Sequence, residues 1–142
     1  MKLIATLLLL LSASVMANTT DPVEFVKKMP YTQVVKDMIF ARCISQVADE
    51  NSQISLDAAR TANALREWIP YDIENGDEKV NALISQFKDT INGFHSESAQ
   101  SVKGVTLNCL RLYHSKELTA LVPKVLSDNP NRTWLQDNSA QK

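Results

Sequence analysis

From Tyr31 onward the chain sets apolar stripes at helical spacing between polar breaks. After Pro30, Thr32 is placed to cap a first helix reaching about Glu50, in which Val35, Ile39, Cys43 and Val47 recur every four residues. Val34, Met38 and Ala41 widen that stripe beyond what a surface helix needs. Residues 49–55 are polar and break the pattern. Ser55 then offers an N-cap, and Asp57 a first-turn carboxylate suited to the helix dipole. Ala58, Ala62, Leu65 and Ile69, flanked by Trp68, form the second stripe, which Pro70 stops.

Residues 71–78 (YDIENGDE) make an acidic connector with a turn at Asn75-Gly76. Val80, Leu83, Ile84, Phe87 and Ile91 predict a third helix ended by Asn92-Gly93. A second polar connector covers 95–101, and Val102, Val105, Cys109 and Leu112 mark a fourth helix. Ser115 restarts a short fifth with Leu118, Leu121, Val122 and Val125, its end made irregular by Pro123. No segment reads as a strand. The tail from Ser127 is polar and is expected to fray, with Trp134 able to pin it to the body. The expected fold is all-α, a compact bundle of four to five helices braced by one disulfide.

The amino end has a different character. Lys2, the apolar run 3–11 (LIATLLLLL) and Val15-Met16-Ala17 reproduce the three-part layout of a secretory signal. The run is too short for a membrane span of about 20 residues, and no cysteine follows it to take a lipid. The expected organisation is a signal peptide at 1–17, a lead-in at 18–30, a helical domain at 31–127 and a polar tail at 128–142. No membrane association is expected after cleavage.

Removing the signal leaves 125 residues with 14 basic side chains against 16 acidic, a net charge of −2. That is a single-domain length, and the balance argues against nucleic acid, which wants a basic face. Cys43 and Cys109 are the only cysteines. An even pair in an exported chain, both on apolar stripes, reads as a disulfide between the first and fourth helices. A catalytic thiol would need to be reduced, accessible and beside a base.

Other chemistry is sparse. His95 and His114 lie nineteen residues apart without zinc-ligand spacing. Asp72, Glu74, Asp77 and Glu78 lack the ligand ladder of a calcium loop. Neither a phosphate loop nor a GxSxG elbow occurs, so no catalytic residue, metal or cofactor is expected. Sequons at Asn18 and Asn131 matter only in a eukaryotic secretory pathway.

Resemblance takes the reading further. The stretches YTQVVKDMIFARCISQ (31–46), DAARTANALREW (57–68), YDIENGDEKVNALISQF (71–87), NCLRLYHSKELTALV (108–122) and NPNRTWLQDN (129–138) together resemble the Tai4 family. These are immunity proteins that bacteria make against Tae4-type peptidoglycan amidases delivered by type VI secretion. The chain departs from the family pattern at Asn108, where a lysine often precedes the second cysteine. The resemblance implies a periplasmic, helical, non-enzymatic homodimer that occludes the cleft of an NlpC/P60-like amidase. The wide stripe of the first helix adds some support for a dimer.

Within that reading the connector after Pro70 is expected to enter the cleft. Tyr71, Asp72, Glu74, Asn75 and Asp77 would be its contacts, an aromatic anchor with polar surroundings. The segment at 95–101 is the competing site. The alternative function is a periplasmic acid-stress chaperone, which would expose apolar surface only at low pH.

Overall fold

The computed structural model describes residues 23–92 and 102–139. The predicted signal peptide and the 95–101 connector lie outside them. Helix α1 (Tyr31–Val47) is the axis of the fold: nine of its seventeen residues are buried, so it has apolar neighbours on more than one side. Its expected cap, Thr32, is not used. The helix starts at Tyr31, and its first amides are satisfied by the other end of the chain, Tyr31 N donating to Arg132 O at 2.9 Å and Thr32 N to Pro130 O at 2.9 Å. Main-chain acceptors thus replace a side-chain cap for amides that have no partner within the helix.

Helix α2 (Gln53–Arg66) packs along α1 through Ala58, Ala62 and Leu65. Its cap is Ser52, one turn before the expected Ser55, and it accepts from Ser55 N at 3.2 Å. Ser55 Oγ instead donates to Ser45 O at 2.9 Å and ties α2 to α1. The same shift puts Asp57 past the first turn.

Helix α3 (Gly76–Phe87) buries Val80, Leu83 and Ile84 but stops before Ile91, which is 69% exposed. Buried Asn108 accounts for the stop. Its Nδ2 donates to Lys88 O at 3.2 Å and Thr90 O at 2.8 Å, taking carbonyls at the frayed end. The expectation of no strands is corrected by a minimal antiparallel ribbon, β1 (Ile91–Asn92) with β2 (Val102–Lys103). Val102 therefore belongs to the ribbon, and α4 (Val105–Tyr113) begins after Gly104.

Helix α5 (Lys116–Leu121) starts as expected, with Ser115 Oγ accepting from Leu118 N at 3.0 Å. Pro123 sits in a 3-10 turn, Val122–Lys124. The tail does not fray through Ser139. It forms α6 (Trp134–Asp137), opened by a capping box between Thr133 and Gln136. Tyr31 Oη donates to Asp137 Oδ2 at 2.6 Å. Trp134 packs edge-on against Trp68, centroids 5.2 Å apart, with Lys27 of the 3-10 turn Glu24–Lys28 over both rings. The fold is an all-α bundle, and no helix among the described residues is long and apolar enough to cross a membrane.

Cys43 and Cys109 are bonded, as expected, with Cα atoms 5.7 Å apart and neither residue exposed. The bridge joins α1 to α4 across a separation of 66 residues. On the chain-entropy account such a loop closure stabilises by about 4 kcal/mol. Replacing both cysteines by serine is expected to lower the melting temperature by roughly 10–15 °C while leaving binding at neutral pH largely intact. Calorimetry showing a shift under a few degrees would remove the bridge from the stability argument.

Candidate functional site

The connector between α2 and α3 begins where Pro70 forbids a further helical turn. It is strapped at its start. Ser127 N donates to Pro70 O at 2.8 Å and Asp72 N to Val125 O at 2.9 Å, pairing Tyr71 with Leu126 in an antiparallel bridge. The connector is therefore a braced edge of the body and not a free projection.

Tyr71 faces inward and is 8% exposed. Its ring lies over Gly76, where a Cβ would come within 2.7 Å of the ring, so the glycine is required for this close approach. Tyr71 Oη donates to Asp77 Oδ1 at 2.9 Å. Arg42 of α1 donates to the same oxygen at 2.5 Å, and Arg66 at the end of α2 to Oδ2 at 3.5 Å. One carboxylate thus joins three helices and the connector. The hydrogen bond from Arg42 holds the Asp77 carboxyl below its ordinary range and pushes the Arg42 guanidinium up. Burial first, then Asp77, raises the Tyr71 phenol well above its usual value. Asp77 also sits in the first turn of α3, where a negative charge is favoured.

Asp72 closes the turn. Its Oδ1 accepts from Asn75 N at 3.1 Å and its Oδ2 from Lys79 Nζ at 3.3 Å, and the Asn75 amide is the main cause of its lowered pKa. Of the five expected contact residues, Tyr71 and Asp77 shape the connector from within and Asp72 locks its turn. Glu74 and Asn75 stay exposed. The residue that pattern reading missed is Ile73, 82% exposed at the apex. Its signal was an isoleucine inside an otherwise polar run. Beside it lies a recess of about 320 Å³ lined by Arg66, Glu67, Ile69, Tyr71 and Ile73.

The arrangement presents a fixed surface and no reaction centre. Among the described residues no three metal-ligating side chains cluster. His114 ends α4 with its ring edge-on to Tyr113, centroids 5.2 Å apart, and His95 lies outside the described residues.

Residues 33–122 match the Tai4 family, described as type VI secretion system (T6SS), amidase immunity protein. The chain belongs to the Tai4 family. A solved structure described as new type VI-secreted toxins and self-resistance proteins in Serratia marcescens is 58% identical, with a TM-score of 0.77, and the match covers 89% of this chain and 98% of that one. The Tae4/Tai4 effector–immunity system of Salmonella typhimurium matches at 17% identity and TM-score 0.59, covering 73% of this chain and 97% of that one. The Salmonella typhimurium effector Tae4 in complex with the immunity Tai4 from Enterobacter cloacae matches at 20% and 0.53, covering 68% and 94%. At those identities the last two show the fold alone. No curated protein matches the chain. As a Tai4 protein the chain is an amidase immunity protein, a non-catalytic binder that neutralises its target.

The Asp77 clamp has a pH signature. A carboxyl held below its unfolded value contributes stability that is fully present above about pH 4 and lost as pH falls through the folded value. Asp77→Asn is therefore expected to lower the melting temperature at pH 7 and to make its decline below about pH 4 shallower than in the wild type. Parallel acid-melting curves for the two proteins would show that Asp77 does not clamp the connector.

Proposed function

We propose that the mature protein works in the periplasm, where it occludes the substrate cleft of a Tae4-type, NlpC/P60-like peptidoglycan amidase through the α2–α3 connector. An inhibitor of a wall-cutting enzyme has to meet it at the wall, and the signal-like amino end and the buried disulfide suit an oxidising, extracytoplasmic site. The observation that carries the connector's role is its rigidity beneath an exposed apex. Backbone bonds to 125–127 and the Asp77 clamp hold Ile73, Glu74 and Asn75 at the surface. A preformed apex loses little conformational freedom on binding, and an exposed apolar side chain ringed by polar groups follows the apolar-centre, polar-rim layout of an interface.

The test compares two connectors. Asp72→Lys with Glu74→Lys is expected to weaken inhibition of the amidase, while changes at His95 and Glu97 have the smaller effect. If the first pair inhibits like wild type and the second is inert, the cleft-entering segment is 95–101.

We further propose that the protein is a homodimer. A groove of about 900 Å³ runs between α1 and α2 with Phe40, Ile44, Ala58 and Leu65 along it, and Phe25 and Ile54 on its rim are 59% and 58% exposed. An apolar surface of that kind marks an interaction site, and a two-fold pairing there would carry two copies of the connector. Light scattering at about 50 µM, a concentration at which even a weak dimer is populated, is expected to give twice the monomer mass for wild type and the monomer mass for Ile54→Glu. A wild-type monomer at that concentration refutes the dimer.

A further inference from the structure

On the far side of the α1–α2 contact from that groove is a cleft of about 190 Å³ lined by Met38, Arg42, Ser45, Ala62, Asn63 and Arg66. We infer that Arg66, with Arg42 beside it, is the docking point for an acidic side chain of the amidase, seated next to the apex that Ile73 forms. This rests on the reading that the connector face meets the enzyme.

The charge arrangement carries the inference. Two guanidiniums line one cleft, and among the described residues Asp77 is the one carboxylate that pairs with them. The group therefore keeps one positive charge in excess. The sharing is also unequal. Arg42 bonds Asp77 at 2.5 Å and has a side chain 23% exposed, whereas Arg66 sits at 3.5 Å and is 40% exposed. Arg42 is the structural partner, and Arg66 is the one with donors to offer, since a guanidinium carries five N–H groups in a planar fork matched to a carboxylate. Glu67 follows it in the chain and lines the adjoining recess but makes no ion pair with it. Asp72, the other nearby acid, is held by Lys79.

Arg66 lines both the cleft and the recess under Ile73, so the cation and the apolar apex form one continuous surface. Arginine is one of the residue types concentrated at the energetic centres of interfaces. The partner surface it fits is an apolar depression bordered by an aspartate or glutamate. Charge complementarity of this kind also speeds encounter.

The test uses the mature protein and its amidase, with affinity measured at 50 and 300 mM salt for wild type, Arg66→Gln, Arg66→Lys and Arg111→Gln. Arg111 is exposed on α4 and lines neither the cleft nor the groove, so it reports the general effect of removing a positive charge. Arg66→Gln is expected to bind roughly 10- to 100-fold more weakly at low salt, the range of a charge-assisted hydrogen-bonded pair, and to lose part of its salt dependence. Arg66→Lys keeps the charge without the fork and should fall between. Arg111→Gln should match wild type. If Arg66→Gln proves too unstable to measure, Arg66→Lys decides, because it retains a cation for Asp77: a several-fold loss supports the docking point, and wild-type affinity overturns it. Binding by Arg66→Gln within twofold of wild type with the same salt slope, or an equal loss in Arg111→Gln, also overturns it. The Asp72→Lys/Glu74→Lys protein measured alongside separates the two failures: if it binds weakly while Arg66→Gln binds like wild type, only the docking point falls, and if both bind like wild type, the reading of the connector face falls with it.

Discussion

The bond between Cys43 and Cys109 is the constraint around which the remaining contacts are arranged. It lies in the last two turns of a helix that is buried on several sides, and it fixes that helix to α4 where no solvent reaches either sulfur. With α1 and α4 locked, Asn108, the residue before Cys109, is placed to bond the carbonyls after α3. That contact in turn sets where α3 ends and the ribbon begins. A covalent link thus propagates through a buried amide to the position of a whole helix.

The same logic operates at the other end of α3. Asp77 stands in its first turn and draws on an arginine from α1, an arginine from α2 and a tyrosine from the connector. An acidic stretch that looks like a negatively charged loop in one dimension is half neutralised in three, because Asp72 and Asp77, two of its four carboxylates, have basic partners. What the surface offers is Ile73, Glu74 and the half-exposed Arg66. The recognition chemistry of the connector is accordingly apolar and mixed in charge, not simply acidic.

Much of the architecture was legible because helices write their burial at a fixed period. Cys43 and Cys109 fell on stripes that proved to be buried, and Ser115 and Pro123 marked true boundaries. The misreadings have physical causes. Ser52 and Ser55 are three residues apart and both suit a cap, and only the tertiary bond from Ser55 to Ser45 separates their roles. Two-residue strands carry no periodicity at all. The inward turn of Tyr71 depends on Gly76 lying beneath its ring, and the Asp77 clamp on arginines 35 and 11 residues away. No local pattern encodes such pairings. The Tai4 likeness, carried by five stretches in order, was the part of the functional reading that needed no geometry.

The main-chain bonds from Tyr31 and Thr32 to Arg132 and Pro130 set an order of assembly. The opening amides of the first helix have their acceptors about a hundred residues downstream, in the closing segment that also brings Trp134 to Trp68. A chain delivered amino end first therefore emerges with its central helix uncapped and one face of Trp68 bare. Closure waits for residues 130–134. Until then the start of the central helix is held by none of these bonds, and the segment around Arg132 is the one that latches it.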